Sequence, residues 1–367
     1  MKLYLALSLC LLGSIYKSEA LYAQAQAESD APLRQQIDAI VQERMEQYQI
    51  PGLAIGIVQG DSFTYSQGYG YRNNKTADAV TAESIFHTAS ISKLFTAQAI
   101  QQLAVNGKLS LDDKIATLLP QLQYSDEHFR EVTVRQLLNH TAGLPDIKNY
   151  RWGRQHESVE SLEKYMLAHS FKLHSPPGTT YQYSNLGYDL LGYLVQGITG
   201  VSFEDYVQEQ ILRPAGMITS DFRYFRIPER LRVSPHSKRL LTGNIYPRRT
   251  YPYTREHGPS STLNASASEL CSWMRFVLKD LRSENGSLFH PMIQPSTSAS
   301  PYIGLGFQLF ELEGYAVAGH FGGDQGFRSY LLLVPEENIG LVLLANCDYE
   351  EDFRQDILHT ILRLLVS

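Results

Sequence analysis

Hydrophobic residues recur at helical spacing near the start of the chain and are then replaced by short apolar runs. Between residues 33 and 49 apolar side chains fall at every third or fourth position, which predicts an amphipathic helix that stops before Pro51-Gly52. The run Leu53 to Val58 predicts a strand, and Ser62 to Gly68 predicts a second strand across the turn Gln59-Gly60-Asp61. This part of the chain is therefore a helix followed by a β-hairpin.

Helical patterns dominate the middle of the chain, and strand patterns its last part. We predict helices over 90–105, 133–139, 158–169, 186–198 and 203–213. The stretch 221–260 is polar, aromatic and rich in proline, and we interpret it as long loops. After a further helix over 268–280, we predict strands over 314–320, 327–334 and 338–345 and a last helix over 350–366.

Strands at both ends of the chain imply one antiparallel sheet with helices on its faces. The predicted fold class is α/β, of the α+β type. We expect residues 28–85 and 261–367 to form the sheet region, and 86–260 a mostly helical subdomain with loops, with an active site between them. Residues 28–367 would then form a single unit.

The first 20 residues have the pattern of a secretory signal peptide. A basic start at Met1-Lys2 precedes the apolar stretch Leu3 to Ile15, which is shorter than the roughly 20 residues that span a bilayer. Ser18-Glu19-Ala20 offers small residues for cleavage, and cleavage as late as residue 27 is an alternative. We expect an exported protein, periplasmic or secreted, with no membrane span in the mature chain; a buried N-terminal helix is the other interpretation.

Composition narrows the classes of function. The chain has 367 residues, 19% of them charged, and a net charge of −6, so nothing favours nucleic acid as a partner. Without a CxxC or HExxH pattern we expect no metal, and we expect no cofactor. Cys271 and Cys347 lie in apolar runs, which favours buried thiols over a disulfide. A small molecule or a peptide is the expected substrate, and the oligomeric state is open.

Ser90-Ile91-Ser92-Lys93 is the first of three motifs that could build a nucleophilic site. Ser90 opens an apolar helix, and residues three apart share a helix face, so the Lys93 amine would lie beside the Ser90 hydroxyl. Serine needs such a neighbour to act as a nucleophile. The same spacing at Ser161–Lys164 lies in a surface-like helix. A simple N-cap role for Ser90 is the alternative.

The second motif, Tyr183-Ser184-Asn185, lies between the loop Pro176-Pro177-Gly178 and an apolar helix. A corner of this kind can direct a phenol and an amide into a cleft. The phenol, with its ordinary pKa near ~10, acts as a base only beside positive charge, which Lys93 could supply. A surface tyrosine next to an Asn cap is the alternative.

The third motif, His320-Phe321-Gly322-Gly323, ends a strand-like run. Glycine in a strand often marks close approach of a ligand to the backbone, and a substrate could pair with this edge as an added strand. His320 would face the cleft, and the Gly323 N–H could bind an oxyanion. An ordinary tight turn is the alternative.

The order S-x-x-K, Y-x-N, H-x-G resembles the serine β-lactamase and penicillin-binding-protein superfamily on its class C-like side. Longer segments carry the same resemblance over about residues 35–365: HTASISKLFTAQAI, TVRQLLNHTAGLPD, PPGTTYQYSNLGYDLLG, STLNASASELCSWMRF and GHFGGDQGFRSYLLLVP. The resemblance implies an antiparallel sheet flanked by helices with a helical subdomain, in agreement with the pattern above.

The resemblance implies that Ser90 is the acylated nucleophile. Lys93 would hold down the proton affinity of Ser90 and Tyr183, and Tyr183 would act as the general base. The N–H groups of Ser90 and Gly323 would form the oxyanion hole.

Substrate contacts also follow from the resemblance. Asn185 would bind the amide carbonyl, and the strand His320 to Gly323, with Gly322 in it, would line the substrate. The family's class C β-lactamases have K-T-G where this chain has H-F-G. Phe321 cannot donate the hydrogen bond of the threonine, and His320 is only partly charged near pH 7. We therefore expect β-lactam hydrolysis to be inefficient. H-x-G variants are similar to DD-carboxypeptidase, D-amino-acid peptidase and esterase branches.

The leading hypothesis is an exported serine hydrolase that acts through acyl-Ser90 on D-amino-acid peptides, β-lactams or small esters. A non-catalytic relative that binds cell-wall peptide or a partner is the alternative. An α/β-hydrolase is disfavoured because the chain contains no G-x-S-x-G.

Overall fold

The computed structural model describes residues 30–153, 157–283, 286–350 and 353–367. The predicted signal peptide, residues 1–20, lies outside the described residues. Compact packing divides the chain after Gln47. The described part of the first unit is helical, and this helix, α1, runs from 30 to 48. The structure therefore confirms the helix expected over 33–49.

Thirteen strands and nine further α-helices are described in the second unit, besides short 3-10 and π turns. The strands are β1 Gly52–Gln59, β2 Phe63–Asn73, β3 Asp78–Ala79, β4 Phe86–His87, β5 Gln123–Tyr124, β6 Ser170–Phe171, β7 His236–Lys238, β8 Ile245–Pro247, β9 Asn264–Ala265, β10 Gln308–Leu312, β11 Tyr315–Asp324, β12 Phe327–Val334 and β13 Ile339–Ala345. The helices are α2 Ser92–Val105, α3 Ile115–Leu118, α4 Val134–Leu138, α5 Ser161–Ala168, α6 Asn185–Thr199, α7 Phe203–Val207, α8 Gly258–Ser261, α9 Ala267–Leu281 and α10 Phe353–Val366.

The main sheet has seven strands in the order β10-β11-β12-β13-β1-β2-β3, each antiparallel to its neighbours. It joins strands from the early and the late part of the chain, which confirms the predicted architecture. Its register aligns Gly56, Val342, Leu331 and His320 across four strands. Directly paired residues point to the same face of a sheet, so these four positions share one face.

The two faces of the sheet are covered by different helices. On the Gly56 face lies α9, so close that a side chain at Gly56 would come within 2.7 Å of Cys271 Sγ. On the other face lies α10, whose Arg354 guanidinium is 5.1 Å from the centre of the Phe321 ring. The face that carries His320 is therefore the α9 face.

Two buried helices of the middle region support the site. Eleven of the 14 residues of α2 are buried, and α6 is buried along its first three turns. The Ser184 hydroxyl caps α6 by accepting the N–H of Gly187, and Gly200 ends the helix at φ 73°. The cap fixes where the chain enters α6, and thus where Tyr183 and Asn185 lie.

The structure corrects the expected element bounds in three places. The stretch 221–260, interpreted as long loops, contains the hairpin β7–β8. In this hairpin Lys238 pairs with Ile245 and His236 with Pro247. The predicted strand 314–320 continues to Asp324, since its glycines pair with β12. Strand β10, which is short and only partly buried, was not predicted.

Cys271 and Cys347 are free and buried, which confirms the expectation for these two thiols. Burial raises the pKa of each to about 12. Among the described residues we find neither a helix with the length and apolar character of a membrane span nor a group of three metal-binding side chains.

Candidate active site

A 3-10 turn, Ala89–Ile91, leads directly into α2 and carries Ser90. Ala89 has φ 49°, in the left-handed region that residues other than glycine rarely adopt. The Ser92 hydroxyl holds this conformation by donating to the Ala89 carbonyl at 2.6 Å and accepting the Leu263 N–H at 2.9 Å. Ser90 is thus presented by a fixed turn at a helix start, where its N–H has no helical acceptor.

Strands β11 and β12 hold the same turn from the other side. The Ser329 hydroxyl donates to the Thr88 carbonyl at 2.7 Å. His87 Nε2 and Asp324 Oδ2 are 2.9 Å apart, and the His87 side chain is buried. The turn Ala89–Ile91, which we call the nucleophile turn after the role expected of Ser90, is therefore tied to the end of β11.

Lys93 is completely buried beside Ser90. Its Nζ lies 3.1 Å from Ser90 Oγ, 2.5 Å from Asn185 Oδ1 and 2.7 Å from the Ser260 carbonyl. The rings of Tyr183 and Tyr188 lie 5.0 and 5.5 Å from the same nitrogen. Desolvation of the charged amine lowers the pKa of Lys93 to about 7, although the negative charge of Asp189 opposes this shift.

The Tyr183 hydroxyl donates to Ser90 Oγ at 2.9 Å, so the serine oxygen lies between the phenol and the Lys93 amine. The Tyr183 ring packs on His140, with 4.4 Å between ring centres, and His140 Nδ1 accepts the N–H of Ser184. Burial raises the pKa of Tyr183 well above its ordinary range. Burial thus shifts the pKa values of Lys93 and Tyr183 in opposite directions, and both shifts favour the neutral forms.

Asn185 is 8% exposed and is held at both ends of its amide. Its Oδ1 accepts from Lys93, and its Nδ2 donates to Asp146 Oδ1 at 2.9 Å. The backbone N–H of Asn185 binds the same carboxylate oxygen. Asn185 therefore positions Lys93, and one N–H of its amide is left for a substrate carbonyl.

His320 lies on the same side of the sheet as Tyr183, with 6.2 Å between ring centres. Its Nδ1 is 2.5 Å from the Phe321 carbonyl, which can only accept, so Nδ1 carries the proton and Nε2 is an acceptor. Burial and the nearby Lys93 lower the pKa of His320 to about 3. The expectation of a partly charged imidazole at pH 7 is thus not met, since the buried ring is neutral there.

The Phe321 side chain lies on the opposite, α10 face of the sheet. Its ring stacks on Tyr330 with 3.8 Å between ring centres, and Arg354 covers it. Strand alternation explains this placement, because neighbours along a strand point to opposite faces. Because the Phe321 ring points away from the site, the difference from a K-T-G motif that a substrate would meet lies mainly in His320.

The outer edge of β11 is open beside Ser90. Pairing with β10 stops at Gly319, and beyond it the N–H of Phe321 donates only to the Gln308 side chain, at 3.3 Å. Asp324 and Phe327 are the pair that closes the β11–β12 hairpin. Because backbone N–H groups point alternately to the two edges of a strand, the Gly323 N–H points to the same open edge as the Phe321 N–H. The role of the Gly323 N–H as an oxyanion donor stays a prediction.

Gly322 permits the close approach of β11 to the nucleophile turn. A Cβ at this position would lie 2.4 Å from the Thr88 carbonyl oxygen and 2.1 Å from Ser329 Oγ. We expect Gly322→Ala to lower the free energy of unfolding by about 1–3 kcal/mol, the usual cost of overpacking. The measurement is chemical denaturation followed by circular dichroism.

Gly323→Ala is the matched control for that substitution. A Cβ there would meet nothing closer than the Arg328 side chain at 3.4 Å, so its cost should be clearly smaller. Equal losses of stability in the two variants would contradict the steric role of Gly322.

A buried carboxylate and imidazole lie behind Lys93 and were not predicted from the sequence. Asp189 Oδ2 and His257 Nδ1 are 2.7 Å apart, and both side chains are almost fully buried. Asp189 Oδ1 accepts the N–H of Ser260, whose carbonyl binds Lys93. Burial raises the pKa of Asp189, and the neighbouring His257 opposes that shift.

A cleft that the three motifs do not line is found elsewhere on the protein. It has a volume of about 800 Å³ and lies along β10 and the first half of β11, with Tyr302, Phe310 and Pro335 among its lining residues. None of the three motifs contributes to it. This cleft is therefore separate from the open edge of β11 beside Ser90.

This chain is similar to known proteins over most of its length. Residues 37–365 match the family model described as Beta-lactamase. Protein flp of Staphylococcus aureus (strain NCTC 8325 / PS 47) is 28% identical over 332 residues, which are 86% of this chain but only 64% of that protein. Penicillin-binding protein 4 of Amycolatopsis lactamdurans is 28% identical over 345 residues, 88% of each chain.

Among solved structures, the octameric penicillin-binding protein homologue from Pyrococcus abyssi superposes with a TM-score of 0.76. It is 25% identical and the match covers 90% of this chain and 77% of that one.

Proposed function

Since this chain belongs to the Beta-lactamase family, we propose that it is a serine hydrolase that acts through an acyl intermediate on Ser90. The observation that carries the proposal is the position of Ser90 Oγ, 3.1 Å from Lys93 Nζ and 2.9 Å from the Tyr183 hydroxyl. A nucleophile, a base and a second proton carrier within hydrogen-bond distance are the groups that acyl transfer needs.

Lys93 is the general base of the proposed reaction. Above its pKa of about 7 the neutral amine has two N–H groups, which donate to Asn185 Oδ1 and the Ser260 carbonyl, and one lone pair, which accepts the Ser90 proton. The neutral Tyr183 phenol donates to the same serine oxygen. This assigns the first proton transfer to Lys93 rather than to a Tyr183 phenolate, the base that the family resemblance suggested.

The reaction then proceeds in two acyl transfers. Ser90 Oγ bonds to the substrate's carbonyl carbon as its proton moves to Lys93, and the N–H groups of Ser90 and Gly323 stabilise the oxyanion. Collapse breaks the bond to the leaving group, which takes a proton from Tyr183 while Lys93 returns one to the phenol. Water then attacks the acyl-enzyme through the same proton transfers, which releases the acid product and free Ser90.

The state of His320 guides the choice of substrate. A neutral imidazole whose free nitrogen is an acceptor cannot form an ion pair with a substrate carboxylate. A cationic residue in the third motif would form one. We therefore rank D-amino-acid peptides or amides and small esters above β-lactams. The open edge of β11 suits a substrate with an extended, peptide-like backbone. Export to the periplasm or the medium is part of the proposal, as the N-terminal pattern suggests.

Mass spectrometry after incubation with a penicillin, a D-amino-acid amide and a p-nitrophenyl ester tests this ranking. We expect turnover of the ester or the amide, and slow or no hydrolysis of penicillin. Rapid penicillin hydrolysis would overturn the role given to His320. The alternative, a non-catalytic protein that binds cell-wall peptide or a partner, predicts no turnover and no adduct with a serine-reactive phosphonate.

Asp189 is expected to set the pH at which activity appears. Its negative charge favours the charged form of Lys93, so Asp189→Asn should lower the pKa of Lys93 further. If neutral Lys93 is the active form, the acid limb of the kcat/KM profile then moves to lower pH. Asp112→Asn, at an exposed carboxylate, is the control and should leave the limb in place. An unchanged or upward-shifted limb in Asp189→Asn would contradict the proposed linkage.

A further inference from the structure

The hairpin β7–β8 carries two leucines that contact water over almost their whole surface. Leu240 is 99% and Leu241 97% exposed, at the tip formed by residues 239–244. Hydrophobic side chains scattered singly on a surface are common, but two neighbours extended from a tip are not. Nothing in the turn requires leucine, because its sharp bend comes from Gly243 at φ 68°.

The tip is an ordered turn. The Arg239 N–H donates to the Asn244 carbonyl at 3.0 Å, and the Gly243 N–H donates to the Arg239 carbonyl at 2.9 Å. Leu240 and Leu241 therefore lie at the end of a closed loop, and little further ordering is needed for them to enter an apolar phase.

Basic residues surround the leucines. Residues 236–250 contain Lys238, Arg239, Arg248 and Arg249 and no acidic residue, in a chain whose net charge is −6. Lys238 and Arg248 face Glu350 and Asp348 at 3.8 and 3.6 Å. Arg239 and Arg249 are exposed, and within the described residues neither forms an ion pair.

We propose that this hairpin docks on an anionic phospholipid surface, with Leu240 and Leu241 inserted among the acyl chains and the flanking arginines against the headgroups. Exposed apolar side chains within a basic patch are the combination that such a surface binds. The positive charge of the tip complements anionic headgroups, and the two exposed leucines need an apolar phase, so an anionic bilayer supplies partners for both.

The root of the hairpin is joined to the active-site strand. The His236 N–H donates to the Gly326 carbonyl, and Arg248 Nη2 donates to Gln325 Oε1 at 2.9 Å. Gln325 and Gly326 form the turn directly after β11. A docked hairpin thus holds the strand that carries Gly323 next to the lipid surface, whatever substrate the site takes.

Flotation of the full chain with phosphatidylglycerol vesicles tests the proposal, with pure phosphatidylcholine vesicles as the comparison. We expect wild-type protein to float with the anionic vesicles and to be partly released by salt. Burial of one leucine strengthens partitioning about tenfold or more, so L240S/L241S should weaken it about 100-fold. Val201→Ser with Ile218→Ser removes two other exposed apolar side chains and should leave flotation unchanged.

A tryptophan at the tip reports its own environment. The fluorescence of Leu241→Trp should shift to the blue when anionic vesicles are added, while the spectrum of wild-type protein stays constant. Absence of flotation, equal flotation of L240S/L241S, or no blue shift would overturn the proposal. So would loss of self-association in L240S/L241S without any vesicle binding, since the tip would then be a contact between copies of the chain.

Discussion

Replacing Ser90 with alanine is expected to abolish turnover of every substrate the protein accepts, by at least about 10⁴-fold in kcat. The reason is chemical, because the acyl group has no other oxygen to bond to between Lys93 and Tyr183. Loss of a serine nucleophile removes nearly all of the rate that the surrounding groups support. The measurement is steady-state hydrolysis of the best ester or amide, together with labelling by a serine-reactive phosphonate.

The chain offers its own control for this substitution. Ser161 begins another S-x-x-K sequence, Ser161 to Lys164, on α5 and away from the three motifs. Ser161→Ala should retain activity and labelling. If Ser90→Ala kept more than a few per cent of wild-type turnover, or if the phosphonate still bonded to it, Ser90 would not be the nucleophile.

The second large effect concerns Lys93. Lys93→Met, which keeps the volume of the buried chain, should lower kcat/KM by about 10²- to 10⁴-fold, the usual range for a general base. In wild-type protein activity should rise as pH increases through about 7, because the amine becomes able to accept a proton as it loses its charge. The variant should lack this rise, and pH profiles of kcat/KM measure it.

Tyr183→Phe separates the two candidate bases. If Lys93 is the base, this variant loses activity but keeps the rise near pH 7, because the amine still titrates. If a Tyr183 phenolate is the base, the rise disappears with the hydroxyl. A wild-type profile that is flat between pH 6 and 9 would contradict both assignments.

Much of this site could be predicted from the sequence because local pattern and chemistry coincide there. Ser90 and Lys93 are three residues apart at the start of an apolar helix, and Tyr183 and Asn185 flank a helix cap, so short-range geometry already fixes their relation. The glycines after His320 were interpreted as a place where a ligand approaches the backbone. At Gly322 the structure shows instead close packing against Thr88 and Ser329, within the protein. The sheet was predictable for a similar reason, since strands at both ends of the chain need one another as partners.

Other features depend on long-range packing that no local pattern encodes. Asp189 and His257 lie in unrelated segments, and only the fold brings them within 2.7 Å behind Lys93. The charge of His320 depends on burial, which raises the cost of the imidazolium. The segment 221–260 has no clear period, yet it forms the β7–β8 hairpin because its root is held by the turn after β11.

The contacts that hold the nucleophile turn also tie its assembly to the late stages of folding. Ser92 binds Leu263 across 171 residues of sequence, His87 meets Asp324 across 237, and Ser329 reaches Thr88 across 241. Contacts so distant in sequence form slowly, because long loops must close first. Recovered activity during refolding should therefore lag behind the return of helical signal, and a nascent chain stays inactive until its last strands have been made.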